Sequence, residues 1–498
     1  MKNNKLNNSL SPNEYRALVS KCLLCHDAIC DKACPYKLKP SKFLRSLYFD
    51  NAIGAGKYIN KSKCLKCKGF CQSKCINRCN KVDILELIKN YDKEYINAEK
   101  VNVSIKFLNK KCENPFFLAS SAVSTDYDMC RKALKLGWGG IVMKTVSLHD
   151  INETSPRFTT HKNDNTFISF QNLEQLSEKT LEENLEIIKK LKKEFPKKII
   201  VGSIMGNSEA EWTKLAKIFS KSGCDIIECN FSCPQITYAN MGRAISANTK
   251  LAVSFTKAVL KGTNLPIIVK LSPNFGPLSP LAIAVKKAGA NAISTINTIS
   301  SISSIDLETM CPNPNIDGKS APSGLSGKAV KPIALRFIAE LAKCKELKNI
   351  QISGIGGIET WRDALEFITL GCRNVQVCTA VMQYGYRIID DLIGGLKTFL
   401  KTHNYKSLEQ LVGKAVKNVL TPEKLNRSTI VYPSFNLNKC IKCGRCYLSC
   451  YDGGVQAIEF NNGKLIYNAK KCIGCHLCRQ VCPVNAIGTT KRINKIKK

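Results

Sequence analysis

The sequence has no apolar run approaching the roughly 18 residues of a membrane-spanning helix, so no membrane association is expected. Residues 1–15 (MKNNKLNNSLSPNEY) carry no apolar core of the kind a secretory signal needs, and a reducing, cytoplasmic setting is therefore expected. Acidic residues are scarce: 39 Asp and Glu stand against 75 Lys and Arg, a formal charge of +36. Such a surplus on its own points to nucleic acid or an acidic partner. The lysines, however, are dispersed among Asn and Ile, as in KNNKLNN and RINKIKK, and no basic motif interleaved with aromatics and no zinc-finger spacing occurs. Nucleic-acid binding is not expected, whereas docking of an acidic electron-transfer protein fits the charge. A complete G-x-G-x-x-G is also missing.

Cysteine, by contrast, is abundant. Of 26, seventeen lie in two groups near the ends of the chain. Cys440, Cys443, Cys446 and Cys450 are followed by Cys472, Cys475, Cys478 and Cys482, with Pro483 next. Each run reads C-x2-C-x2-C-x3-C, a spacing that gives three thiolates to one iron-sulfur cluster and sends the fourth to its neighbour. Two 4Fe-4S clusters are expected, one on Cys440, Cys443, Cys446 and Cys482, the other on Cys472, Cys475, Cys478 and Cys450. A disulfide framework is the alternative, but it suits short secreted chains. Adjacent clusters conduct electrons, so the rest of the chain should contain something that uses them. The length of 498 residues allows a barrel-sized domain and two small modules.

Between about residues 102 and 400, short apolar β-branched segments alternate with longer amphipathic ones. Eight strands are predicted at 116–119, 140–144, 199–204, 225–230, 266–271, 292–296, 350–353 and 375–378. Helix-like stretches include 181–194, 209–222, 278–288, 330–342 and 361–370. Eight strand-helix units in this span predict an α/β fold, a parallel (β/α)8 TIM barrel, whose chemistry belongs where strands end. Polar residues fall at those ends: Lys144-Thr145, Asn230 to Pro234, Lys270 to Asn274, Asn297-Thr298, Gly356-Gly357 and Cys378-Thr379. Gly354-Ile-Gly356-Gly357-Ile-Glu359 begins like a dinucleotide fingerprint, but Glu359 stands where the third glycine belongs. Loops after strands seven and eight of such barrels commonly hold a phosphate. Clusters pass single electrons and most organic substrates take hydride, so a flavin is the natural adaptor, and FMN carries one phosphate.

Over about residues 100 to 490 the chain resembles the FMN- and ferredoxin-containing half of the dihydropyrimidine dehydrogenase family, especially the separate catalytic subunit of its bacterial members. The resemblance is carried, in family order, by GWGGIVMKT (Gly137 to Thr145), SPRF (Ser155 to Phe158), ECNFSCPQ (Glu228 to Gln235), VKLSPN (Val269 to Asn274), INT (Ile296 to Thr298), SGLSGKAVKPIALR (Ser323 to Arg336), SGIGGIETW (Ser353 to Trp361) and CGRCYLSCYDGG (Cys443 to Gly454). It implies FMN at the top of the barrel and reversible reduction of uracil or thymine to the 5,6-dihydropyrimidine. It implies flavin contacts at Ser121, Lys144, Lys270, Gly327, Gly356, Gly357, Cys378 and Thr379, with Lys270 stabilising the negative charge of reduced flavin near its pyrimidine end. Substrate contacts are implied at Asn172, Asn230, Ser232, Asn297 and Thr298; amides both donate and accept, as a uracil edge requires. Cys233, in N-x-S-C-P, is implied as the general acid and base, and a thiol of ordinary pKa about 8.5 is mostly protonated at neutral pH. Cys224 and Cys229 are read as buried structural cysteines. Two alternatives stay open: dihydroorotate dehydrogenase, against which the ferredoxin tail argues, and an electron-transfer subunit without pyrimidine chemistry.

The N-terminal group resembles the helical iron-sulfur domain that precedes the FAD and NAD(P)H domains in the same family, through CLLCHDAICDKACP (Cys22 to Pro35) and FLRSLYFDNAIGAGKYI (Phe43 to Ile59). Cys64, Cys67, Cys71, Cys75 and Cys79 follow. The likeness implies one or two further 4Fe-4S clusters, with Cys22, Cys25 and Cys30 sharing one with Cys79 and Cys34 joining the other; Cys75 is also expected among the ligands. A zinc site on Cys64, Cys67, Cys71 and Cys75 is the alternative. The expected organisation is a helical iron-sulfur domain at 1–95, the barrel at 96–402, a connecting segment at 403–433 and a two-cluster ferredoxin-like domain at 434–498. With no FAD domain visible, electrons are expected from an FAD/NAD(P)H-binding oxidoreductase subunit or a ferredoxin, in a homodimer or hetero-oligomer.

Overall fold

The computed structural model describes residues 12–163, 166–236 and 238–495. The chain divides into two compact units, one formed by the described residues up to Pro40, Asn60–Asp92 and those from Leu420 on, the other by Ser41–Ile59 and Lys93–Val419.

The larger unit is a closed barrel of eight parallel strands: β1 (Phe116–Leu118), β2 (Gly140–Val142), β3 (Ile199–Ile204), β4 (Ile226–Asn230), β5 (Ile267–Lys270), β6 (Ala292–Thr295), β7 (Gln351–Ile355) and β8 (Cys372–Val377). Each strand pairs with the next in the chain, and β8 closes onto β1 with Val377 opposite Leu118. Residues of β1 to β6 are buried along their whole length, because side chains fill the barrel on one face and helices cover the other. That is why these segments read as continuous apolar runs rather than alternating ones.

The intervening helices start where the sequence supplies caps. Leu181–Glu194 opens with a reciprocal capping box between Thr180 and Glu183, and Trp361–Thr369 with one between Thr360 and Asp363. The helix expected at 209–222 runs Glu209–Phe219 and gives way before Gly223, whose φ of 91° a side-chain-bearing residue rarely adopts. Its Trp212, Leu215, Ala216 and Phe219 are buried.

Strand-helix periodicity did not reveal a four-stranded antiparallel sheet built from Phe158–Asn163, Thr166–Asn172, Ile299–Ser301 and Ser323–Ser326. Its strands come from the long loops after β2 and β6, and Gly324 sits opposite both Asn172 and Ser300. These loops leave the C-terminal ends of the barrel strands, the end that carries chemistry in this architecture.

Ser41–Ile59 groups with the barrel unit, although the sequence places it in the N-terminal module. Arg45 Nε lies 2.6 Å from Asp391 Oδ2, Ser46 Oγ donates to Asp391 Oδ1 at 3.1 Å, and the Tyr48 and Tyr384 hydroxyls are 2.9 Å apart. Buried contacts of this kind fasten the segment to helix Ile389–Thr402 and its neighbour Thr379–Tyr384.

In the smaller unit, the C-terminal part pairs Pro433–Phe435 with Ile487–Thr489 and folds Ile458–Asn461 back on Lys464–Tyr467. Its core is small: Ile458, Cys478 and Ile487, with Phe435, Tyr447, Leu465 and Tyr467 against them. The N-terminal part consists of short helices, among them Ile29–Lys32, Lys61–Lys66, Phe70–Ser73 and Ile84–Lys89, the last capped by Asp83. Among the described residues no helix is long and apolar enough to cross a membrane.

Candidate active site and cluster sites

A cavity opens among the C-terminal ends of the barrel strands. Ser121, Lys144, Asn172, Asn230, Cys233, Lys270, Asn297, Thr298, Gly327, Gly356, Gly357, Cys378 and Thr379 all line it. Ser232, the remaining residue expected in the barrel site, is fully buried behind the wall and bonded to two residues that form it.

One side of the cavity is a chain of amides and hydroxyls. Asn230 Nδ2 donates to Thr145 Oγ1 at 3.0 Å, while its Oδ1 accepts from Ser232 Oγ at 2.9 Å. Asn297 Nδ2 donates to the same Ser232 Oγ at 2.7 Å, and Asn297 Oδ1 accepts from the Thr298 backbone N–H at 2.8 Å. Asn172 is oriented by donation to the Gly324 carbonyl at 3.1 Å. Amides fixed through one edge keep the rest of their hydrogen-bonding capacity for a planar polar ligand.

Cys233 follows this chain and is 5% exposed. Burial pushes its thiol above the ordinary range; the backbone at Gln235, then Lys144, the backbone at Ile236 and Lys270 pull the other way. The result is a protonated sulfur at neutral pH with two cations near enough to ease its ionisation. Both cations are themselves mostly buried: Lys144 Nζ lies 3.0 Å from Glu174 Oε2, and Lys270 Nζ 3.8 Å from Glu228 Oε1. Cys378, which precedes helix Thr379–Tyr384, is also raised by burial.

Glycines form the opposite end. Gly327, Gly356 and Gly357 have φ of 83°, 125° and 72°. A Cβ on Gly357 would lie 2.8 Å from the Gly327 carbonyl oxygen and from Lys331 Cβ, and one on Gly356 would lie 2.9 Å from Ala334 Cβ. Thr379 Oγ1 lies beside them, 3.0 Å from Ser326 Oγ, and Ser121 Oγ donates to the Ala119 carbonyl at 3.0 Å. A bare-backbone cradle, two lysines and an apolar wall that includes Ile296, Val330 and Ile355 are a lining that fits a flavin.

Sequence reasoning missed several residues. Glu174 lines the cavity and stands two residues beyond Asn172, a spacing that could have flagged it. Gln376, inside β8, also lines it, and nothing in its local pattern distinguishes it from a core residue. Glu359 lines the cavity at the glycine end, with burial pushing its carboxyl up to about 7.

In the C-terminal part of the smaller unit, the cysteines line two separate cavities. Cys440, Cys443, Cys446 and Cys482 line one, and Cys450, Cys472, Cys475 and Cys478 line the other. The fourth cysteine of each run crosses to the neighbouring site. Among the described residues no group of three or more Cys, His, Asp or Glu closes tightly enough to hold a single metal ion.

Around the N-terminal group, the thiol of Cys30 is pushed up to about 12 by burial, then by Asp31, Cys22, Cys71 and Cys25. Cys71 is pushed up to about 12 by burial, then by Cys34, Cys67 and Cys64. Cys34 thus gathers with Cys64, Cys67 and Cys71. Asn77 Nδ2 donates to the Lys21 carbonyl at 2.9 Å, which brings the segment between Cys75 and the exposed Cys79 beside Cys22.

Residues 102–400 match the dihydroorotate dehydrogenase family and residues 434–489 the 4Fe-4S dicluster domain. The chain is 48% identical over 390 residues, 78% of its length and 95% of the relative's, to the NAD-dependent dihydropyrimidine dehydrogenase subunit PreA of Escherichia coli. It is 35% identical over 333 residues, 64% of its length and 78% of the relative's, to the chloroplastic dihydropyrimidine dehydrogenase (NADP(+)) of Arabidopsis thaliana. To the catalytic subunit of dihydroorotate dehydrogenase B (NAD(+)) of Pyrococcus abyssi it is 32% identical over 319 residues, 63% of its length and 99% of the relative's. With its barrel, its cavity and its dicluster tail, the chain belongs to the dihydropyrimidine dehydrogenase family of oxidoreductases.

Proposed function

We propose that this protein reduces the 5,6 double bond of uracil and thymine, reversibly, with electrons carried by its iron-sulfur clusters to FMN in the barrel. The observation that carries the reading is the buried, protonated Cys233 beside the Asn230–Ser232–Asn297 network, in the cavity that also contains both lysines and the glycine cradle. FMN, when bound there, supplies the hydride for one carbon of the double bond.

The other carbon needs a proton, and Cys233 holds one where bulk water has little access. After donation the thiolate is stabilised by Lys144 and Lys270, which also lets the step run backwards. Asn172, Asn230, Asn297 and Thr298 align the pyrimidine edge, and Ser232 keeps Asn230 and Asn297 in register. Ser121, Lys144, Lys270, Gly327, Gly356, Gly357, Cys378 and Thr379 hold FMN. The C-terminal dicluster domain forms the final electron conduit, and the N-terminal cysteines hold one or two more clusters. The relative whose name calls it an NAD-dependent subunit supports a separate electron donor, an FAD/NAD(P)H-binding subunit or a ferredoxin.

Incubating reconstituted protein with a chemical reductant and uracil, thymine or orotate tests the reading. Turnover of uracil and thymine is expected. Turnover of orotate alone assigns the barrel to dihydroorotate chemistry, and turnover of none makes the chain an electron carrier. Rapid reduction of uracil with NADH or NADPH unaided would overturn the need for a separate donor.

A further inference from the structure

Beneath the cavity, inside the barrel, lies a polar layer to which the roles above assign nothing. Glu228 and Asn230 are two residues apart on β4 and share a face, so Glu228 sits one layer below the residue that meets the substrate. It is 0% exposed. Its Oε2 accepts from Ser294 Oγ at 2.9 Å and from Gln376 Nε2 at 3.0 Å, and Gln376 Nε2 also donates to Ser353 Oγ at 2.9 Å. Its Oε1 has no hydrogen-bond partner and faces Lys270 Nζ across 3.8 Å.

This is an expensive way to fill a barrel. Withdrawing a carboxylate and an ammonium from water costs several kcal/mol each, and apolar residues of similar volume often serve stability as well or better. Stability alone therefore does not account for the pair. What the pair does change is the field in the cavity. Lys270 lines the cavity, whereas Glu228 does not. A ligand would meet the cation and feel the carboxylate only through it.

We infer that Glu228 is a positioning residue that sets the reduction potential of the bound flavin through Lys270, fixing the ammonium and offsetting part of its charge. The inference rests on the proposed placement of Lys270 at the flavin's pyrimidine end. An ammonium there favours the reduced, negatively charged flavin and raises its potential. The carboxylate behind it opposes that effect and lowers the potential. Lys144 has a different arrangement, because its partner Glu174 itself lines the cavity.

Redox titration of the flavin in the holoenzyme tests this with Glu228→Gln, Glu228→Asp and Lys270→Met. Glu228→Gln keeps the shape and removes the charge, so binding should shift toward reduced flavin by tenfold or more, a rise of about 30 mV for a two-electron couple. Glu228→Asp keeps the charge and should stay near the wild-type potential, while Lys270→Met should fall below it. An unmoved potential in Glu228→Gln, or equal shifts in the Gln and Asp variants, overturns the inference while leaving the proposed function standing. If Lys270→Met leaves the potential where it was, the placement of Lys270 beside the flavin is wrong and the inference fails with it. Should Glu228→Gln not fold, Ser294→Ala removes one donor from the carboxylate and must lower the potential; an unmoved or raised value overturns the inference.

Discussion

Lys144 Nζ lies 3.0 Å from Glu174 Oε2, and both side chains are mostly buried at the mouth of the barrel. Arg157 is Glu174's second basic neighbour, at 3.8 Å. Breaking a buried pair by removing one partner leaves the other charge uncompensated and costs about 3–5 kcal/mol. Glu174→Ala should therefore lower the denaturation midpoint of the barrel markedly. The double variant Glu174→Leu with Lys144→Met should recover most of that loss while binding flavin poorly. Denaturation followed beside flavin titration separates the two effects.

Cys233→Ala should reduce turnover by about 100- to 10,000-fold, the usual contribution of a positioned acid or base, with FMN retained. For the reductive direction the thiol must be protonated. Activity should persist while pH is below its pKa and decline as pH rises through it. Because burial raises that pKa, the decline should come above the ordinary thiol value of about 8.5. A pH profile of kcat, wild type against Cys233→Ser, checks both the position and the sign.

Much of this was legible in the sequence, and what was not has a physical reason. All eight barrel strands could be found because burial on both faces makes each a short unbroken apolar run, and helix Leu181–Glu194 because its apolar residues recur at helical spacing. Site residues at or just beyond the ends of those runs, such as Asn230 and Asn297, could be found by position. Glu228 and Gln376 could not, since each sits inside a strand, and what distinguishes them is a contact between β4 and β8 that no local pattern encodes. The sheet of Thr166–Asn172 and Ser323–Ser326 was hidden because its strands pair across more than a hundred residues. The sequence likewise could not place Arg45 and Tyr48 against Asp391 and Tyr384, because that packing joins segments far apart in the chain.

Gly357→Ala should weaken FMN binding. At φ 72° an added Cβ would meet backbone at the Gly327 carbonyl oxygen, 2.8 Å away, and at Lys331 N, 2.9 Å away. Backbone strain of this kind is of order 1–3 kcal/mol. That corresponds to about a 5- to 150-fold loss of affinity at 1.4 kcal/mol per tenfold. Iron content should not change, because the cysteines of the cluster sites lie elsewhere. Flavin and iron measured on the same purified sample check this, and parallel loss of both would place the damage outside the cradle.

The division of cysteines between the two C-terminal cavities makes a prediction that sequence neighbours would not. Cys482 lines one cavity with Cys440, Cys443 and Cys446, although Cys478, four residues before it, lines the other. Cys482→Ser should therefore perturb the same cluster as Cys446→Ser, and Cys450→Ser the same cluster as Cys475→Ser. Each should cost up to about four irons per chain, one cluster's worth. Electron paramagnetic resonance of the reduced protein should show the same signal lost within each pair and different signals between pairs. If Cys482→Ser instead removed the signal lost in Cys475→Ser, each run would hold its own cluster and the crossed assignment would be wrong.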